Sequence, residues 1–336
     1  MHYIGLDLHK EKVYGTILDE NGTIIKEKKF RNTKKEFTQF FLNVNEAKVA
    51  LEATGFCHPI YDFIRDMGYN VSVAHPLKTR LIGEAKIKTD KIDAKVLAHL
   101  LRSDLLPTSY IPDKNMRKFR DIVRQRAYLV RLRTQMKNKI HSELIKRWIN
   151  SDIPNIFTAK GKESLRKMRI ETIDRYLEII DSLDECINKI SEEIQSIGQK
   201  NDDIKLLMTI PGIGYYSALM VLGEIGDINR FQDSHRLCAY AGLVPTTHQS
   251  GNTLYHGHIT RSGSKWLRWI LIQSTLIHIR HDTHLTMFYH KLAKKKGKKI
   301  AAVATANKLL RVIYQMLKNK EKFKPFNLNS NQGTSD

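Results

Sequence analysis

Residues 3–30, YIGLDLHKEKVYGTILDENGTIIKEKKF, decide how this chain begins to fold. Tyr3–His9, Lys12–Asp19 and Thr23–Phe30 read as three short strands, and Glu20-Asn21-Gly22 between the second and third is a hairpin signal. Thr33 then opens a helix carrying Phe37, Phe40, Phe41 and Leu42. Lys48–Ala53 is a fourth strand, followed by a helix through Ile60, Ile64 and Met67. Tyr69–Ala74 is a fifth, closed by His75-Pro76, and a helix follows over Asp90–Arg102. Three strands in succession, then strand and helix in alternation, predict a mixed sheet with helices on its faces.

The chain has 336 residues, 56 Lys+Arg against 35 Asp+Glu, and a formal net charge of +21. Such a length accommodates two to three domains at about 100–200 residues each. An apolar content of 41% supports a packed core and excludes a disordered basic tail protein. The charge predicts a polyanionic partner, most simply nucleic acid. No apolar run reaches the roughly 20 residues that span a bilayer, and MHYIGLDLHK reads as a strand rather than a secretory leader. Cys57, Cys186 and Cys238 are odd in number and far apart, which fits neither a disulfide framework nor a C-x-x-C metal knuckle. A cytoplasmic protein is expected.

The excess charge is concentrated. Residues 115–150 hold 11 Lys/Arg against 2 Asp/Glu, and residues 291–324 hold 12 against 1. In the first segment Ile122, Leu129, Leu132, Met136, Ile140, Leu144 and Trp148 form one apolar stripe of a long helix. Residues 151–170, with Pro154 and Gly161, read as a loop. Residues 172–199 form a second, acidic helix whose Ile173, Leu177, Ile180, Leu183, Ile187, Ile190, Ile194 and Ile197 repeat like heptads. That seam suits an antiparallel hairpin with the first helix or a dimer contact. The Pro211-Gly212-Ile213-Gly214 turn ahead of an apolar helix resembles a helix-hairpin-helix, whose backbone N–H groups approach a phosphate. Pro245–Gly263 reads as a polar stretch, and helices continue to about Leu317.

Four carboxylates stand out. Asp7 sits mid-strand in Ile4-Gly5-Leu6-Asp7-Leu8, where a lone charge is costly unless it is paired or binds a cation. Glu52 ends the run Val49-Ala50-Leu51-Glu52. Asp90 and Asp93, in Lys88-Thr89-Asp90-Lys91-Ile92-Asp93-Ala94, share one helix face. Together they make an oxygen cage suited to Mg²⁺ or Mn²⁺ for phosphoryl transfer. Singly, each has a plainer role: Asp7 in a turn, Glu52 paired with a lysine, Asp90 as helix N-cap with Asp93 in the first turn.

The first-strand Asp with its hairpin, the strand-end Glu, Lys88–Ala98 (KTDKIDAKVLA), Ile210–Gly214, Ala239–Leu243 and Gln249-Ser250-Gly251 resemble the DEDD transposases of the IS110/IS1111 insertion-sequence family. The resemblance runs from about residue 3 to 320. It implies an α/β plus α architecture: a RuvC-like, RNase H-type nuclease domain over 1–110, a helical coiled-coil region for assembly over 111–200, and a mostly helical C-terminal transposase domain over 201–322. Residues 323–336 read as a disordered tail. It further implies a bacterial or archaeal, nucleoid-associated enzyme acting on donor and target DNA, a structured bridge RNA as guide, and a homodimer or tetramer.

By the same resemblance Ser250 is the nucleophile beside the metal site of Asp7, Glu52, Asp90 and Asp93. A serine can carry the DNA covalently and conserve the phosphodiester energy. Read from composition alone, Ser250 is a turn residue before Gly251, and Ser262 and Ser264 around Gly263 compete with it, Ser262 also reading as a helix start. His248, His256 and His258 nearby are possible proton carriers without a cysteine pair for zinc. The candidate nucleic-acid contacts are Arg117, Lys118, Arg120, Arg124, Arg131, Arg133, Lys137 and Lys139, then Gly212 and Gly214, Arg261, Lys265 and Arg268, and Lys294, Lys295 and Lys298. Two other readings stay open: an endonuclease using the carboxylates alone, and a non-catalytic nucleic-acid-binding protein.

Overall fold

The computed structural model describes residues 1–82, 89–150, 154–250 and 253–325. The chain divides into two compact units, Met1–Ile111 and the residues from Pro112 onward.

The first unit holds β1 (His2–Leu8), β2 (Lys12–Leu18), β3 (Ile24–Arg31), α1 (Lys34–Phe40), β4 (Ala47–Leu51), α2 (Cys57–Asp66), β5 (Asn70–Ala74), α3 (Pro76–Ile82), α4 (Asp90–Arg102) and β6 (Thr108–Ser109). The sheet order is β3-β2-β1-β4-β5-β6. β1 is antiparallel to β2 and parallel to β4, with Leu6 opposite Leu51. This is the mixed, RNase H-type sheet that the sequence implies. Thr33 caps α1 by accepting the Glu36 N–H. Ile4, Leu6 and Leu8 of β1 pack with Val13, Phe37, Phe40 and Ile64 in one core. α3 and the short β6 were not anticipated. Their few residues carry no apolar period, and α3 buries no side chain.

The second unit begins with α5 (Lys114–Lys146), α6 (Ala159–Lys167), α7 (Glu171–Gln199), α8 (Asp202–Leu207) and α9 (Tyr215–Ile225). After a 3-10 turn at Ile228–Arg230 come α10 (Ser234–Tyr240), β7 (Pro245–Ser250), β8 (Thr253–Ile259), α11 (Lys265–His278), α12 (His284–Lys296) and α13 (Lys298–Asn319). α5 and α7 form the antiparallel hairpin. Arg126 donates to Ser191 at 2.8 Å and Arg133 to Asp184 at 2.6 Å, so the partners run in opposite directions. Ile173, Leu177 and Ile180 pack with Ile140 and Leu144, so this part of the heptad-like seam is closed within the chain. The main core gathers α9, α11 and α13 around Leu219, Leu271 and Leu309.

Four expectations need correction. α6 interrupts the stretch 151–170 read as a loop: Thr158 accepts the Gly161 N–H at 3.2 Å and Leu165 is buried. Trp148 is not on the apolar stripe, because α5 ends at Lys146 and Trp148, at φ 55°, is 94% exposed. The polar stretch from Pro245 contains an antiparallel hairpin, β7 with β8. Finally, the tail does not begin at 323. Phe323 is buried, and its N–H donates to Thr209 at 3.0 Å. The remainder of that tail, 326–336, lies outside the described residues, as do Lys88 and Gly251.

Candidate active site

Strand alternation places Gly5 and Asp7 on one face of β1 and Ile4, Leu6 and Leu8 on the other. The first face lies under α4. A Cβ on Gly5 would fall 2.0 Å from the Ala94 carbonyl oxygen and 2.6 Å from the Ala98 nitrogen. Glycine on the strand and two alanines four residues apart on the helix therefore bring α4 directly onto β1. One turn before Ala94, this contact sets Asp90 beside Asp7.

Thr89, not Asp90, caps α4 by accepting the Ile92 N–H at 3.3 Å. The carboxylate of Asp90 is thereby left to other partners. His9 Nε2 stands 3.2 Å from Asp7 Oδ2 and 3.2 Å from Asp90 Oδ1, and Lys29 Nζ donates to Asp90 Oδ2 at 3.1 Å. The ligand atoms of Asp7, His9 and Asp90 all lie within 4.8 Å of one another. Asp7 is only 3% exposed. The hydrogen bond from Lys29, with the charges of Lys29 and His9 added to it against some desolvation, holds the Asp90 carboxyl below its ordinary range.

Glu52 lies one residue past β4, where its N–H donates to the Leu6 carbonyl at 3.1 Å, and Asp93 is in the first turn of α4. Both have polar partners and fall outside the 4.8 Å group. Two carboxylates at the end of a central strand and a helix suit a hard divalent cation such as Mg²⁺ or Mn²⁺, and the imidazole adds a softer donor. His9 had not been singled out. The signal was its spacing from Asp7: residues i and i+2 project to the same side of an extended chain.

In the second unit several candidate phosphate contacts are engaged inside the chain. Arg120 donates to the carbonyls of Gly223 and Glu224 at 2.6 and 2.9 Å. Arg124 grips Glu224 Oε1 through Nε and Nη2 at 2.9 and 2.6 Å, and Arg133 pairs with Asp184. Glu224 is 1% exposed and also accepts from Ser264 at 2.8 Å. Lys137 lies 4.9 Å from the Phe157 ring centroid. Arg117 is half-buried with a polar partner, while Lys118, Arg131 and Lys139 are exposed. Lys294, Lys295 and Lys298 are exposed on either side of the Gly297 turn between α12 and α13.

The glycine turn before α9 faces two ways. A Cβ on Gly212 would meet the His278 nitrogen at 2.9 Å, so Gly212 backs onto α11, whereas Gly214 meets nothing within 4 Å. Arg268 donates to the Ala241 carbonyl at 2.9 Å, and Arg261 and Lys265 are exposed. The segments Tyr240–Leu243 and Arg261–Ser264 interlock. Gly242 and Gly263, both at positive φ, would place a Cβ 2.3 Å from the Ser262 carbonyl oxygen and 2.0 Å from that of Tyr240. Ser264, rather than Ser262, starts α11 by capping the Leu267 N–H, while Ser262 donates to Thr260 at 3.1 Å. Ser250 is the last residue of β7, opposite Thr253 of β8.

Comparison with known proteins fits this geometry. The family model of IS110 DEDD transposases matches residues 4–147, and the model described as transposase IS116/IS110/IS902 family matches residues 204–290. The transposase for insertion sequence element IS1111A of Coxiella burnetii is 26% identical, over 96% of this chain and 91% of its own. The transposase for insertion sequence element IS1328 of Yersinia enterocolitica is 24% identical, over 93% and 95%. The pilin gene-inverting protein of Moraxella bovis is 25% identical, over 96% and 97%. Fold, acidic cluster and matches define an enzyme of the DNA transposase and recombinase class. Within that class, the chain belongs to the IS110 family.

Proposed function

We propose that this enzyme cuts and rejoins DNA strands for an insertion sequence, with Asp7, Glu52, Asp90 and Asp93 as a divalent-metal site and Ser250 as nucleophile. The juxtaposition of Asp7 and Asp90 carries the reading, since two charges drawn this close across β1 and α4 are stabilised by a shared cation. Mg²⁺ or Mn²⁺ there would neutralise charge developing on the scissile phosphate. The Ser250 hydroxyl attacks phosphorus, its proton passes to a base, and the bond to the leaving deoxyribose oxygen breaks. Attack by a second strand's hydroxyl on the phosphoserine then rejoins the DNA and frees the serine. A relative whose name states gene inversion supports rejoining, because inversion requires both steps.

A bridge RNA that pairs with donor and target DNA would read sequence, leaving the exposed cations Lys118, Lys139, Lys294, Lys295 and Lys298 to hold backbones. Holding two DNA sites calls for a dimer or tetramer. The test is a recombination assay with purified protein, element DNA and the RNA transcribed from the element's flank. Wild type should give Mg²⁺-dependent exchange and a covalent protein–DNA adduct. Ser250→Ala should lose both, and Asp7→Asn should lose exchange. An adduct surviving Ser250→Ala removes the serine from the mechanism, and exchange without RNA removes the guide.

A further inference from the structure

A second candidate site lies in the helical unit and is lined by no residue given a catalytic role. Tyr128 and Arg131 of α5, Tyr216 of α9, and Lys265, Trp266 and Trp269 of α11 line a cleft of about 680 Å³. That is within the roughly 300–1,000 Å³ of ligand clefts. Trp266 and Trp269 meet edge to face at 6.1 Å between centroids. Tyr128 is 50% and Trp269 40% exposed, so two large ring faces are open to solvent.

Every charge on the lining is positive. The Arg126 guanidinium lies 4.5 Å from the Tyr216 centroid and Arg131 lies 5.7 Å from that of Tyr128. Arg131 and Lys265 are exposed and have no ion pair among the described residues. The walls are built rather than incidental. Buried Glu224 holds both Arg124, whose guanidinium lies 5.9 Å from the Trp266 ring centroid, and Ser264, which caps α11 where Lys265, Trp266 and Trp269 begin.

We propose that this cleft binds unpaired bases of single-stranded DNA, which stack on Tyr128 and Trp269 while Arg131 and Lys265 meet the adjoining phosphates. Aromatic faces interleaved with cations are what an unpaired strand requires, since its bases present bare π-faces and its backbone negative charge. A paired duplex hides those faces, and an acidic peptide would leave the rings uncovered. The proposal rests on the transposase reading, in which strand exchange leaves DNA strands unpaired.

Trp148 is the third tryptophan of the chain and is not part of the cleft, so Trp148→Phe leaves Trp266 and Trp269 as the fluorescent reporters. Titrating that full-length protein with oligo(dT) should quench its emission. Trp269→Ala and Tyr128→Ala, with circular dichroism confirming their folds, should bind labelled oligo(dT) about tenfold or more weakly. Trp269→Phe should restore most of that loss, and duplex binding should be unchanged. Unaltered oligo(dT) affinity in both alanine variants overturns the proposal, and preference for oligo(rU) of equal length reassigns the cleft to RNA. Because the measurement needs no cleavage, an inactive cleft variant and a failed Asp7→Asn test remain distinguishable.

Discussion

Gly5 and Ala94 meet across the strand and helix that carry the acidic cluster: a Cβ on Gly5 would lie 2.0 Å from the Ala94 carbonyl oxygen. Backbone atoms on both sides leave nothing flexible to yield, so Gly5→Ala must push α4 off β1. Asp90 moves with α4, while Asp7 stays with the sheet. A displacement of about 1 Å of this kind costs on the order of a hundredfold in rate. Gly5→Ala should therefore lower strand cleavage by about that factor and reduce thermal stability. Gly55→Ala, where an added Cβ meets nothing within 4 Å, is the matched control and should leave both unchanged. Wild-type cleavage by Gly5→Ala would detach the site from this contact.

His9 touches both Asp7 and Asp90 at 3.2 Å. A residue that orients or joins a metal's ligands contributes about 10–100-fold to metal affinity. Calorimetric titration with Mn²⁺ should show His9→Gln weakened within that range and Asp7→Asn without measurable binding. Equal affinity in His9→Gln and wild type would make the histidine only a neutralising neighbour.

Much of this was open to reading from the sequence, and the exceptions share a physical cause. Three strands and their hairpin followed from alternation and Asn21-Gly22, and the long helices α5 and α7 from apolar period. Asp7 stood out because a lone charge is costly inside an apolar strand, and Asp90 because it shares one helix face with Asp93. What depends on a close approach between distant segments did not show. His9 and Lys29 reach Asp90 only after α4 docks, and Arg124 finds Glu224 a hundred residues away. Local patterns also misled. Trp148 continued the i+4 spacing from Leu144, yet the helix had already ended, and Gly161 looked like a breaker although it sits where a Cβ would strike the Ile156 backbone at 2.5 Å. Ser250 had no apolar alternation to betray its strand.

The Glu224–Arg124 pair gives a stability test. Glu224 is 1% exposed, and its second oxygen is bonded by Ser264. Removing one partner of a buried pair leaves the other uncompensated, at about 3–5 kcal/mol. The Arg124 side chain is 38% exposed and can be partly rehydrated, so Glu224→Gln should fall toward the lower end of that range. Urea unfolding measures it. A change below about 1 kcal/mol, the level of surface pairs, would mean the site tolerates an open arginine.

His278 sets a pH dependence. It is 1% exposed, its Nδ1 lies 2.7 Å from the Pro211 carbonyl and its Nε2 lies 2.8 Å from the Thr283 hydroxyl. A carbonyl only accepts, so Nδ1 carries the proton and Nε2 accepts from Thr283. Protonation would put a second donor against that hydroxyl and a charge into the core. Burial, first, pushes the imidazole below its ordinary range, with the nearby His281 and His284 acting in the same direction and the Pro211 bond opposing them. The unfolded chain, with histidine near about 6.5, then binds more protons than the folded one in the window just below that value. Stability contributed by neutral His278 is thus full above about pH 6.5 and lost as pH falls through and below it. Burial lowers His284 and, in the first unit, His99 as well, so His278 is one of three contributors to the slope among the described residues. Melting temperatures should drop between pH 7.5 and 5.5, and His278→Gln, less stable at neutral pH, should show a shallower drop. An equally steep fall in that variant would place the titration elsewhere.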